Sequence, residues 1–379
     1  MIVELTRDEA RSFLVRHHGL DRGLRARGAP GARRLLTERG CIQLDPLDAI
    51  GTNADLVALA RVDGLARGDV YSALLPGHAF EHFAKERCLL PASAFPHYRD
   101  RAVQTPWWRL TERARRVPES VLHALLDEIA ERGPRTSAEL TDHGAVEALD
   151  WHGWKGTGRM TTMALEILWT RCQVVTSGRR SDGAKVFDLP SRALPEVHDA
   201  PAQPFERWAL LMRVDAAGLM STATGPLWSM LRDVRSTLPR QLIEEGELIE
   251  VRVEGASRTY LARPGVRASR RAPDGRMRIL GPLDPLLWDR KLVHHAMRFE
   301  YVWEVYKPAR ERRWGWYVCP LLHRGELVGR IDAHVKDGEL RIARLFRESD
   351  HFDDAALEEC LERHAASCGA VTRRAPRGR

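Results

Sequence analysis

The chain repeats one arrangement three times: short amphipathic helices, then a pair of strand-forming runs around turn residues. Helices followed by a short ribbon point to winged helices, and three copies in one chain point to a tandem array. In the first copy, Thr6-Arg7-Asp8-Glu9 has the form of a capping box and opens a helix with Ala10, Phe13 and Leu14 on one face. A Gly-rich turn, a second helix over 32–39, a strand at Ile42 to Pro46 and an apolar stretch over 54–62 follow; the ribbon of this copy is its weakest part. The second copy has a helix over 120–132 stopped by Gly133-Pro134, a short helix over 136–140 and a third over 161–172. Its runs at 173–180 and 185–189 flank Ser181-Asp182-Gly183, which predicts a hairpin with Arg179, Arg180 and Lys185 at its tip. The third copy has helices starting at Phe205, running over 221–230 and ending over 235–245, and a wing pairing 248–253 with 258–261. A winged helix offers a helix to the major groove and a wing to the backbone, although the same module also serves protein contacts.

Beyond an Arg-, Pro- and Gly-rich link at 264–275, strands are expected at 301–306, 316–318, 326–331 and 339–342, with a helix over 353–366 behind them. The fold class expected is therefore α+β: three tandem winged helix-turn-helix modules plus a small C-terminal antiparallel α+β domain. The boundaries are 1–115, 116–200, 201–263 and 276–370.

The length of 379 residues suits several compact units, and 44% hydrophobic residues suffice for sizeable cores. A net charge of +7, from 59 basic and 52 acidic residues, favours anionic partners without requiring nucleic acid. Only six basic residues are lysines, the rest arginines. Arginine suits bidentate contact with phosphate and guanine, and a GC-rich genome would give the same bias. Six cysteines without a CxxC pair read as reduced thiols, and no metal or other cofactor is expected. No apolar run approaches a membrane span and the N-terminus starts charged, so a soluble, cytoplasmic protein is expected.

The stretch Cys41-Ile42-Gln43-Leu44-Asp45-Pro46 alternates polar and apolar residues. On a strand, Gln43 and Asp45 would project together. A carboxylate beside an amide can activate and hold a water, as hydrolysis of a glycosidic C–N bond requires. Asp-Pro after a strand is equally an ordinary turn opener. His78 and His82, with Glu81 and Glu86, have metal-ligand spacing if the segment is helical, and a polar helix face accounts for them as well. Trp107-Trp108-Arg109 and Trp151 to Lys155 join aromatics to basic residues, either to stack on unpaired bases or as packing.

Over GCIQLD (40–45), EHFAKERCLLP (81–91), 154–189, GPLDPLLWDR (281–290) and WGWYVCPLLHRGELVGRID (314–332), the chain resembles the YcaQ family of crosslink-repair DNA glycosylases, a winged-helix DNA-binding family. The resemblance implies a bacterial, nucleoid-associated enzyme that excises alkylated purines from double-stranded DNA, interstrand crosslinks included. It puts the family's Gln-apolar-Asp motif on Gln43, which would position water, and Asp45, which would act as base or electrostatic stabiliser. It also puts Thr52 and Asn53 in a segment facing the lesion strand, where the family pattern has Arg and two adjacent His; here the segment reads Gly51-Thr52-Asn53-Ala54-Asp55. A family His within EHFAKE is replaced by Lys85, while Glu86 remains.

A strand-cutting glycosylase forms a Schiff base through an amine, and no lysine precedes Lys85. Direct hydrolysis is therefore expected: a monofunctional DNA glycosylase, monomeric, with Gln43 and Asp45 catalytic. Arg179, Arg180, Lys185, Lys155, Thr52 and Asn53 are the expected DNA contacts. The competing classes are a non-catalytic winged-helix DNA-binding protein, such as a transcription regulator, and a protein-interaction scaffold.

Overall fold

The computed structural model describes residues 2–102, 108–147, 156–269 and 271–373. These fold as two compact units, one within 1–70, 83–88 and 209–379 and the other within 71–82 and 89–208. The chain passes between the units at 70/71, 82/83, 88/89 and 208/209, inside the expected modules 1–115 and 201–263.

In the first unit, Thr6 accepts a hydrogen bond from the Glu9 N–H while Glu9 accepts one from the Thr6 N–H, and this capping box starts the helix Arg7–His17. Ahead of it, Ile2–Leu5 runs parallel to Ile249–Val253, with Ile2 opposite Glu250 and Leu5 opposite Val253. Ile249–Val253 pairs antiparallel with Thr259–Ala262, which pairs with Met220–Ser221, closing a four-stranded sheet. The N-terminal segment thus shares a sheet with the third expected wing. A lone helix and a four-residue strand cannot cover each other. Here Leu5, Leu14 and Val15 are buried in one cluster with Val251, Tyr260, Leu292 and Phe299.

The C-terminal part of this unit is a five-stranded sheet in the order Arg278–Ile279, Val318–His323, Glu326–Lys336, Glu339–Arg347, Val371–Arg373, antiparallel except for the last pair. The helix Asp354–Ser367, capped by Asp353, buries Leu357, Cys360 and Leu361 in a cluster with Ile331 and Leu340. Two expectations change here. Residues 301–306 form no strand, despite their alternating sequence: Tyr301 donates to the Val318 carbonyl at 2.8 Å, and Glu304, almost fully buried, accepts from Lys307 Nζ and the Trp314 N–H, pinning an irregular loop. The helix expected over 221–230 shrinks to the single turn Pro226–Trp228, because Trp228 turns inward and donates to the Ser221 carbonyl at 3.0 Å.

In the second unit, the helices Glu119–Arg132 and Met160–Thr170 lie against each other, burying Leu122, Leu125, Ile129, Ala164, Leu165 and Leu168. The sheet beside them runs Arg135–Thr136, Lys185–Asp188, Val175–Arg179, with a bulge between Thr176 and Gly178. A small ribbon pairs Ala145–Glu147 with Thr157–Arg159.

The segment around His78 and His82 is not helical. Ala79–Phe83 and Arg87–Pro91 are paired strands, whose turn belongs to the first unit and whose outer ends belong to the second. The four-residue helical spacing of the two histidines is therefore absent. His82 stacks on Trp169 with ring centroids 5.0 Å apart. Among the described residues, no cluster of His, Cys, Asp and Glu could hold a metal, and no helix is long and apolar enough to cross a membrane.

Candidate active site

The strand that carries the motif is two residues long, Ile42–Gln43, and the chain leaves it irregularly. Leu44 still donates its N–H to the Arg87 carbonyl at 2.8 Å. Asp45 then turns the chain, its Oδ1 accepting the Leu47 N–H at 2.9 Å ahead of which Pro46 removes a donor. The alternation that would set Gln43 and Asp45 on one strand face ends at Gln43, and no hydrogen bond joins the two side chains among the described residues.

Asp45 is half-buried, and its Oδ2 has no hydrogen-bond partner among the described residues. Burial pushes its carboxyl above the usual range, opposed by the Leu47 N–H. A carboxylate so placed has one oxygen fixed by the backbone and the other available to a water, with a proton affinity better matched to neutral pH. Its charge reaches two tyrosines. Burial first and Asp45 second raise the hydroxyl pKa of Tyr306, which is 81% exposed. Tyr317, buried and with no partner for its hydroxyl among the described residues, is raised by burial, Cys319 and Asp45.

Gln43 is 6% exposed and held at two points. Its backbone carbonyl accepts from Asn53 Nδ2 at 2.7 Å, and its side-chain Oε1 accepts from Lys85 Nζ at 2.8 Å. The amide's Nε2 makes no hydrogen bond among the described residues and remains a donor. Asn53 in turn accepts the Leu283 N–H on Oδ1 at 3.0 Å, so it ties the motif strand to the GPLDP segment. That contact needs Gly281: a Cβ there would stand 2.5 Å from Asn53 Oδ1. Lys85 lies in the hairpin turn, partly buried, with its ammonium 5.4 Å from the Trp288 ring centre. Burial lowers its pKa, Arg290 adds to the lowering, and Cys88 and Glu86 oppose it. Arg290 stacks on Tyr301 at 4.2 Å and keeps Nη1 without a partner among the described residues.

Lys85 is the site residue that sequence reasoning missed. It appears in the sequence as a departure from a family histidine and as the first lysine of the chain, and only the strand pairing of Ala79–Phe83 with Arg87–Pro91 brings it to Gln43.

The expected DNA contacts are placed as follows. Thr52 caps the helix Asn53–Leu59, its hydroxyl bonded to Asp55 Oδ2 at 2.8 Å in a second capping box. Asn53 is fully buried with both ends of its amide engaged, so a contact from its side chain to DNA is replaced by the internal bridge just described. Arg179 and Lys185, on the second-unit hairpin, both pair with the fully buried carboxylate of Glu81. Arg180 makes an exposed pair with Glu139 at 3.0 Å, its side chain 49% exposed. Lys155, with Trp107, Trp151 and Trp154, lies outside the described residues.

Residues 36–367 match the family described as DNA glycosylase AlkZ-like, and the chain belongs to the AlkZ-like DNA glycosylase family. In fold it is similar to the Streptomyces sahachiroi DNA glycosylase AlkZ, with a TM-score of 0.59 and 18% identity over 97% of this chain and 99% of that one.

Proposed function

We propose that this protein hydrolyses the N-glycosidic bond of alkylated purines in double-stranded DNA. Water adds at the anomeric carbon as the bond breaks, the Asp45 carboxylate takes the proton or stabilises the oxocarbenium charge, and the Gln43 amide holds the water. An alkylated purine is already a cationic leaving group, so base release needs little acid catalysis. The observation that carries the reading is Asp45 itself, with one oxygen fixed by the Leu47 N–H, the other open, and a pKa raised by burial.

Interstrand crosslinks belong to the same proposal as the slower substrate. Thr52 and Asn53 are taken up by a helix cap and an internal bridge, and a two-strand lesion depends more on groups that grip the duplex. We read the helix-and-hairpin stretches within 1–115, 116–200 and 201–263 as tandem winged helices, followed by an α+β region over 276–370, acting as a monomer on bacterial nucleoid DNA. The hairpins Val175–Arg179 with Lys185–Asp188 and Ile249–Val253 with Thr259–Ala262 support this.

The test is incubation with a duplex carrying one 7-methylguanine, then alkaline cleavage of any abasic site. Cleavage at the lesion is expected, with a lower single-turnover rate on a crosslinked duplex. Tight, salt-sensitive DNA binding without any cleavage would instead favour a non-catalytic DNA-binding protein.

A further inference from the structure

We infer a second activity at the same site: the Lys85 amine condenses with the aldehyde of the abasic sugar and the DNA strand is cut on its 3′ side by β-elimination. This rests on the glycosylase reading for the origin of its substrate, but not for its chemistry.

Three observations converge on Lys85. The hairpin turn delivers its Nζ to within 2.8 Å of Gln43 Oε1, so the amine lies against the motif proposed to act on the sugar's anomeric carbon. Its hydrogen-bond partner among the described residues is neutral. A carboxamide oxygen accepts its hydrogen bond, an indole ring lies 5.4 Å away, and no carboxylate forms an ion pair with it among the described residues. A lysine needs a free lone pair to attack, and burial, the largest influence on this one, moves it toward the neutral form against the opposing Cys88 and Glu86. The residue is also only partly buried. Arg290 adds a further element. One of its N–H groups lacks a partner among the described residues, and a phosphate oxygen is the acceptor a guanidinium suits best.

The chemistry balances without an added oxidant or reductant. The neutral Nζ adds to C1′ of the ring-opened sugar, and loss of one water with uptake of one proton from solvent gives a protonated imine. The C2′–H bond breaks, its proton passing to water or to Asp45, and the electron pair expels the 3′ phosphate as the C3′–O bond breaks. One water then hydrolyses the imine, returning the free amine and the proton taken up earlier and leaving an unsaturated aldehyde on one fragment and a 5′ phosphate on the other.

The experiment uses the full chain and a duplex with a preformed abasic site, so that base excision is not required. Incubation with sodium borohydride reduces the imine to a stable amine. We expect a covalent protein–DNA species whose peptide map carries the sugar on Lys85, strand cleavage without alkali when borohydride is omitted, and at least a tenfold loss of both in Lys85→Arg. Absence of the covalent species, or its attachment to another lysine or to the N-terminal amine, overturns the inference; mapping the wild-type adduct decides the matter even if Lys85→Arg fails to fold. The 7-methylguanine assay is read separately. Excision without trapping sinks the lyase alone, and trapping on Lys85 without excision sinks the glycosylase reading alone.

Discussion

Arg61 and Asp284 face each other through two hydrogen bonds of 2.7 and 2.9 Å, and neither side chain has any exposed surface. Arg61 also donates to the carbonyls of Val57 and His18, and Asp284 accepts the Leu286 N–H. The pair thereby fixes the segment whose Leu283 N–H holds Asn53, and through Asn53 the Gln43 strand. Removing one partner strands a buried charge. Arg61→Leu should cost about 3–5 kcal/mol, measured by urea unfolding, while Arg61→Leu combined with Asp284→Leu should recover part of that loss. A double variant no more stable than the single one would show that the charges contribute nothing apart from their hydrogen bonds to the backbone.

Asp45→Asn should lower single-turnover excision of 7-methylguanine by about 10²-fold or more, the scale of a lost general base or charge stabiliser. Affinity for the lesion duplex should stay within a few-fold, because a charge used in the transition state contributes little to ground-state binding. Undiminished excision would return Asp45 to its turn-forming role alone.

Arg179 and Arg180 should separate in experiment, although they are adjacent. Arg180, in an exposed pair that contributes about 0–1 kcal/mol, can exchange Glu139 for a phosphate. Arg180→Ala should therefore weaken DNA binding and reduce the slope of log K against log salt by about one. Arg179→Ala takes one ion-pair partner from the buried Glu81 and should show first as lowered thermal stability. Equal salt slopes for both variants and wild type would move the DNA path elsewhere.

Acid should destabilise the first unit through its paired histidines. Burial, followed by the charge of Arg39, pushes His17 down to about 4, and His18 is also lowered, by burial first. Above pH ~6.5 both folded and unfolded forms are neutral and nothing is lost. Below it the unfolded chain takes up protons that the fold refuses, so stability falls as pH drops toward 4, by about 2 kcal/mol at pH 5 from His17 alone. Melting temperatures across pH 5 to 7.5 test this. His17→Gln, which supplies an amide donor for the Asp215 carbonyl that His17 now contacts at 2.7 Å, should flatten the profile.

Local signals were legible where a side chain acts on its own backbone. The Thr6 capping box and the Asp353 helix start are readable from spacing alone, because partners three residues apart meet in any helix. The pairing of Ile2–Leu5 with Ile249–Val253 was not, since two short apolar runs so far apart carry no mark of their register. At the site, Gln43 and Asp45 stood out by residue type. Lys85 did not, because Ala79–Phe83 is buried along most of its length and reads equally as helix or strand. Asn53 looked like a surface polar residue beside the motif. Its burial depends on Gly281, which leaves room for it from more than two hundred positions away.

The parallel pairing of Ile2–Leu5 with Ile249–Val253 sets an order of events during synthesis. The first strand leaves the ribosome with no partner, and some two hundred and fifty residues must follow before its neighbour exists. The stretch over 89–208, which holds nearly all of the second unit, emerges meanwhile and can close its own helices and hairpin. The four-stranded sheet of the first unit is then completed only after the middle of the chain has been made, so a chain ending near residue 208 would hold the helices and hairpin of the second unit beside an N-terminal strand with no partner.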